Sequence, residues 1–121
     1  MVDKVIDISG KTTVTSFHIC PENVFLENGL FREPGLIENM AQTAAAGVGS
    51  KPGHTGKNPP MGFIGGIRNL KINSFPAVGQ EIRTSVTVTH EIFDATVVEG
   101  TISIDQKIIA SCELKIFLLD K

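Results

Sequence analysis

Glu38 is the only charged residue between Ile37 and Gly49. The stretch around it, Pro34-Gly35-Leu36-Ile37-Glu38-Asn39-Met40-Ala41-Gln42-Thr43-Ala44-Ala45-Ala46-Gly47-Val48-Gly49, consists largely of small side chains. An isolated carboxylate can move protons as a general acid or base. The non-catalytic alternative is a structural acid that caps a loop or bonds Gln42 one turn further along. Gly35 lies three residues earlier, in a first helical turn whose N–H groups lack intrahelical partners and whose dipole favours negative charge. Such an N–H suits a developing oxyanion; the plain alternative is a tight helix start. Asn28 offers an amide to orient a carbonyl or a water, but Asn28-Gly29 is also a turn signal, and the turn is the better reading.

Other reactive residues fit less well. His54 sits in a Gly- and Lys-rich segment and reads as a surface histidine. His18 and His90 fall inside strand patterns and read as structural. Cys20 and Cys112 show no CxxC spacing and read as reduced thiols, Cys20 as a buried, inert one. Lys51, Lys57 and Arg68 would suit an acidic partner or cofactor phosphates, and scattered surface charge explains them equally well. Gly62 to Gly66 does not lead into a helix and is no nucleotide fingerprint. No His/Asp/Glu grouping has metal-ligand spacing, and no Gly-x-Ser-x-Gly elbow is present. The expected site therefore holds no metal and no resident cofactor.

The elements that position Glu38 follow from periodicity. A solvated helix alternates an apolar stripe with a charged face. The 34–49 helix has no charged face, so other structure is expected to enclose it on nearly all sides. Strands are expected at Val2–Ile8 and Thr12–Ile19 around Ser9-Gly10-Lys11, followed by a polar, turn-rich stretch from Cys20 to Glu33. Pro34 suits a first helical position. A loop is expected from Ser50 to Pro60, then a strand from Met61 to Asn73 whose parity shifts across Gly65-Gly66, a sign of a bulge. Period-two patterns follow in Ile82–Ile92, Val98–Ile104 and Ala110–Leu118, joined by tight turns at Asp94-Ala95 and Asp105-Gln106. Six strands, the last four as a meander, curl around one helix. The class is α+β, as a single domain over residues 1–121, with an edge strand that a dimer would continue.

Bulk numbers agree. The chain has 121 residues, 41% hydrophobic and 20% charged, with net charge −2, which is ordinary for one globular domain and unsuited to a nucleic-acid groove. Seven Phe with no Trp or Tyr remove most aromatic platforms for bases or sugars. The absence of a signal-peptide pattern and of any long apolar run points to a cytoplasmic protein.

The wrapped-helix architecture resembles the hotdog fold. Glu38-Asn39-Met40-Ala41-Gln42 is similar to the Glu-Ala-x-Ala-Gln of beta-hydroxyacyl-acyl-carrier-protein dehydratases. Met61-Gly62-Phe63-Ile64-Gly65-Gly66-Ile67, followed by Pro76-Ala77-Val78-Gly79-Gln80-Glu81-Ile82, looks like the same family's next strand and turn. The resemblance covers residues 14 to 118. It implies a dimer acting on thioesters carried by the phosphopantetheine of an acyl carrier protein or of CoA, in fatty-acid or polyketide-like (polyene) synthesis.

Dehydration of a 3-hydroxyacyl thioester needs a base for the C2 proton, an acid for the leaving hydroxyl and donors for the enolate-like oxygen. The resemblance assigns Glu38, Gly35 and Asn28 to this chemistry, with Phe63, Gly65 and Gln42 lining the acyl site. The chain departs from the family at its Phe-x-Gly-His-Phe-Pro signature. The matching Val24-Phe25-Leu26-Glu27-Asn28-Gly29-Leu30-Phe31 has no histidine, in which it resembles homologues from aryl-polyene pigment clusters. Two alternatives stay open: a hotdog thioesterase acting through Asn28, Gly35 and Glu38, and a noncatalytic subunit paired with a His-bearing hotdog partner.

Overall fold

The computed structural model describes residues 2–49, 61–92 and 95–119. Along the chain run β1 (Lys4–Ser9), β2 (Thr12–His18), β3 (Leu26–Glu27), β4 (Leu30–Phe31), α1 (Glu33–Gly49), β5 (Met61–Ile72), β6 (Glu81–Ile92), β7 (Ala95–Ile104) and β8 (Lys107–Leu119). Six of the strands form one antiparallel sheet in the order β1-β2-β6-β7-β8-β5, and α1 packs on one face of it. This is the hotdog arrangement.

The turns form where the residue types permit them. Gly10 (φ 59°) closes the β1–β2 hairpin, and Asp105 and Gln106, both at positive φ, close β7–β8 in the manner of a type I′ turn. Residues 93 and 94 lie outside the described part, so the expected Asp94 turn does too; Ala95 already belongs to β7, opposite Ile92 and Phe117. The expected loop 50–60 lies outside as well. The bulge expected at Gly65-Gly66 is present, because the β5–β8 register shifts between Ile64 and Gly66. A second shift, between Arg68 and Lys71, accompanies Asn69 at φ 56°.

Two expectations need correction. The final four strands are not one meander: β6-β7-β8 is, while β5 lies at the far edge, paired with β8. Residues 73–80 make this crossing. Asn73 and Ser74 donate to Ile109 O on β8, and Gly79 donates to Ile19 O beside the end of β2. Eight extended residues reach roughly 26 Å, whereas three strand spacings need only about 14 Å. The polar stretch before the helix also holds its own small hairpin, β3–β4, turned by Asn28-Gly29.

The core lies between α1 and the sheet. Leu36 and Met40 are fully buried against Ile82, Val86, Val98, Ile102, Leu114 and Ile116. Complete burial of each such side chain contributes about 1.5–3 kcal/mol. Gly100 makes room for Met40, since a Cβ there would stand 2.5 Å from its sulfur. Gly47 lets α1 approach β2 in the same way, with Thr13 Oγ1 only 2.2 Å from the position of a Cβ.

Candidate active site

The buried side of α1 carries Leu36, Asn39, Met40, Thr43 and Gly47. Glu38, Ile37, Ala41 and Ala44 to Ala46 are half-buried, and Gln42 is exposed. The helix is therefore enclosed on one side only, contrary to the expectation from its composition. Its second side is left open by the described residues, and past the first turn, where Glu33 pairs with Arg32, Glu38 is the one charge on the helix. Gln42 Nε2 donates to Glu38 Oε1 at 3.1 Å, which fixes the carboxylate along the helix surface.

Gly35 is buried at the helix start, where an added Cβ would stand 2.6 Å from Phe31 Cζ and 2.8 Å from Phe25 Cβ. Its N–H already donates to Arg32 O at 3.0 Å, and Leu36 N–H shares that carbonyl at 3.2 Å. The reason for glycine here is thus close packing, and the expected oxyanion donor has a partner. Arg32 itself is fixed twice. Its Nε donates to Glu33 Oε1 at 2.9 Å, and its guanidinium lies 4.4 Å from the Phe75 ring centre. That hydrogen bond holds the Glu33 carboxyl below the usual range and raises Arg32.

Asn28 stands exposed at the tip of the β3–β4 hairpin with φ 55°, followed by Gly29 at φ 78°. This is the Asn-Gly turn. Gly29 O accepts from Val78 N–H at 3.2 Å, and Phe31 N–H donates to Pro76 O at 2.7 Å, so the hairpin is tied to the segment between β5 and β6. The structure joins Glu38 to Gln42 and gives Asn28 a turn to make.

Gly65, expected to line the acyl site, is the bulge residue of β5. A Cβ there would lie 2.2 Å from the Phe117 ring. Phe117 alternates with the buried Ile116 and Leu114 and so faces away from α1. Gly65 therefore makes room for Phe117 on the outer face. Phe63 pairs with Phe117 in the ladder; its side chain lies outside the described part. Arg68 borders a mostly apolar groove of about 300 Å³ on the outer face with Gly66, Val97, Glu113 and Lys115. His54, Lys51 and Lys57 lie outside the described residues.

His18 and His90 are both exposed, and His90 Nδ1 lies 3.2 Å from Thr89 Oγ1. Cys20 is exposed, contrary to the expected buried thiol; Cys112 is the buried one, its Sγ 3.8 Å from Met40 Sδ, and burial pushes its pKa up to about 11. Among the described residues no three His, Cys, Asp or Glu side chains group as metal ligands, and no helix is long and apolar enough to cross a membrane.

Residue-type reasoning missed the polar contacts beneath Glu38. Asn39, Thr43, Thr15 and Thr84 are all fully buried, and Thr84 Oγ1 donates to Asn39 Oδ1. The signal was available in the strand patterns: Thr84 stands between Ile82 and Val86, on the side of β6 that otherwise carries apolar residues.

A family model described as ApeP-like, ApeP dehydratase, matches residues 1–121, the whole chain. The chain belongs to the ApeP-like dehydratase family. This family member is also 28% identical over 127 residues to a 3-hydroxyacyl-[acyl-carrier-protein] dehydratase FabZ of Clostridium botulinum (strain Loch Maree / Type A3), covering all of this chain and 85% of that one. Among solved structures, the dehydratase heterocomplex ApeI:P from Xenorhabdus doucetiae matches with TM-score 0.83 at 17% identity, over 99% of this chain and 83% of that one. A mutant of a hypothetical thioesterase from Streptococcus pneumoniae TIGR4 matches with TM-score 0.73 at 12% identity, over 98% and 91%. At these identities the two structures speak for the shared hotdog fold. The ApeP-like chain is a dehydratase-like lyase by family.

Proposed function

We propose that this ApeP-like chain is a subunit of a 3-hydroxyacyl thioester dehydratase whose substrate rides on the phosphopantetheine of an acyl carrier protein or of CoA. The observation that carries the reading is the half-buried Glu38, held by Gln42 on the open and otherwise uncharged side of α1. Glu38 serves as one of the two proton-transfer groups that elimination of water requires. It exchanges a proton with the substrate while the carbon–oxygen bond at C3 breaks. Gln42 orients the carboxylate, and the strand carrying Phe63 and Gly65 contributes to the acyl site.

The second proton-transfer group is assigned to another hotdog chain that carries a histidine. Two features support a second chain. β5 is a twelve-residue edge strand, and Ile67 and Leu70 on it are 43% and 40% exposed. The relative whose solved structure fits with TM-score 0.83 is itself a heterocomplex. The reading places the chain in the cytoplasm with its carrier.

Asn28 makes an exposed turn and the Gly35 N–H is bonded to Arg32 O, so neither is given a role in either chemistry, and the dehydratase is preferred over the thioesterase on the family match. The test is incubation with a 3-hydroxyacyl-carrier thioester, using the chain alone and together with a His-bearing hotdog partner. Enoyl thioester formed by the pair and abolished by Glu38→Gln supports the proposal. Free thiol release without enoyl product would replace it with the thioesterase. Turnover by the pair that is indifferent to Glu38→Gln would make this chain the noncatalytic subunit.

A further inference from the structure

The grip on α1 comes from a matched pair of strands. Thr15 on β2 and Thr84 on β6 are register partners, side by side on the sheet face that meets the helix. Thr84 Oγ1 donates to Asn39 Oδ1. Thr43 Oγ1 lies 2.8 Å from the Asn39 carbonyl and 2.7 Å from Thr15 Oγ1. A hydroxyl has one proton; with that of Thr43 given to the Asn39 carbonyl, Thr15 is the donor to Thr43. Successive turns of the helix are thus held by adjacent strands, and every hydroxyl in the set has a partner.

This helix has particular need of such a grip. Among the described residues Leu36 and Met40 are the only fully buried large apolar side chains of the helix, Ile37, Ala41 and Ala44 pack partly against the core, and the rest of the buried side is Gly47 and the polar pair. Apolar contact is non-directional, whereas a hydrogen bond weakens steeply off its axis. An alanine-rich cylinder can therefore roll in its groove unless something directional stops it. A roll of about 20° moves a group at the helix rim, some 5–6 Å from the axis, by roughly 2 Å. A misplacement of about 1 Å in a reacting group can cost on the order of 100-fold in rate.

We infer that Asn39, held by Thr84, is a positioning residue that sets the roll of α1 and through it the aim of Glu38. The inference rests on the role proposed for Glu38. Asn39 does not touch substrate; it faces the sheet while its neighbour in sequence faces the open side.

The test uses the full chain in its active assembly, with Thr84→Val, Thr84→Ser and the double variant Asn39→Ala with Thr84→Val. Each is read by kcat, KM, Tm and the side-chain amide signals of Gln42 in a nitrogen–proton NMR spectrum, which sense the bond to Glu38. Thr84→Val is expected to lower kcat about 10- to 100-fold with KM within about 2-fold, and to move the Gln42 signals. Thr84→Ser keeps the hydroxyl and restores both. The double variant removes the Asn39 Oδ1 acceptor together with its Thr84 donor, so it recovers part of the Tm lost in Thr84→Val while kcat stays low and the Gln42 signals stay displaced.

A kcat that follows Tm through the series would reduce the network to a structural role and overturn the inference. So would Gln42 signals unmoved in Thr84→Val. Where Thr84→Val does not fold, the double variant carries the same readouts. Wild-type chain without turnover in any assembly would sink the dehydratase proposal alone, and the Gln42 signals would then decide the positioning role in either direction.

Discussion

Gln42 holds the Glu38 carboxylate at 3.1 Å across one turn of α1, on the side of the helix that the sheet leaves open. The pair has a consequence for catalysis. One carboxylate oxygen is engaged, which fixes the side chain, and in the proposed role the other oxygen exchanges the proton. Mutating either residue should act on chemistry before it acts on folding.

Glu38→Gln is expected to lower kcat of the assembled enzyme by about 100-fold or more, the usual contribution of a positioned acid or base. KM should change little. Stability should shift by less than about 0.5 kcal/mol, because the side chain is half-exposed and outside the core. Paired steady-state kinetics and urea melts would check both halves. A large loss of stability with proportionate loss of rate would show that Glu38 is structural.

Gly35→Ala should destabilise the fold by about 1–3 kcal/mol, the usual range for overpacking. The new methyl would stand 2.6 Å from Phe31 Cζ and 2.8 Å from the Phe25 Cβ, with both rings already packed edge to face at 6.3 Å. Gly47→Ala meets Thr13 Oγ1 at 2.2 Å and should push α1 away from β2 at similar cost. Urea denaturation measures each. A neutral Gly35→Ala that nonetheless abolished turnover would return the Gly35 amide to the catalytic machinery.

The parts of this molecule legible in the sequence were those governed by local rules. Gly65 announced its bulge through a parity shift, and Gly10 and Asp105-Gln106 announced their turns through residue type. Asn28-Gly29 was readable as a turn, although not as the tip of a hairpin. The placement of β5 was hidden, because sequence order favours pairing with β6 and only the path of residues 73–80 takes it to β8. Uncharged composition overstated the enclosure of α1, since a half-buried side of small residues and a side buried in the core are both free of charge in the sequence. Thr84 could have been read from its place between Ile82 and Val86, but its bond to Asn39 and that of Thr15 to Thr43 could not, because each is an unremarkable polar residue until its partner is known.

The two thiols should separate cleanly by reactivity. Cys20 is exposed, whereas Cys112 lies in the core beside Met40 with its pKa pushed up to about 11. Iodoacetamide at pH 8 should give one adduct, at Cys20, and a second only after denaturant, read by mass spectrometry. The same shift links stability to pH. Between about pH 9 and 11 the unfolded chain releases the Cys112 proton and the folded chain keeps it, so stability should fall as pH rises through that window and be level with respect to this group below it. Cys112→Ala should flatten that alkaline limb.

Assembly should depend on the helix side of β5. Ile67 pairs with Leu114, which is fully buried on the side facing α1, so Ile67 points the same way and is nevertheless 43% exposed. Natural sheets block unwanted edge pairing with inward-pointing charges, and β5 has none at this position: its charges, Arg68 and Lys71, pair with Glu113 and Ser111 on the outer side. Ile67→Lys would supply the missing block. It should convert the assembly to single chains in light scattering after size exclusion, abolish turnover, and leave the unfolding free energy of the isolated chain, from urea melts, within about 0.5 kcal/mol. Arg68→Glu, on the opposite side of the same strand, should leave the assembly intact. Equal effects from the two substitutions would place the interface elsewhere, on β1 or on the outer groove.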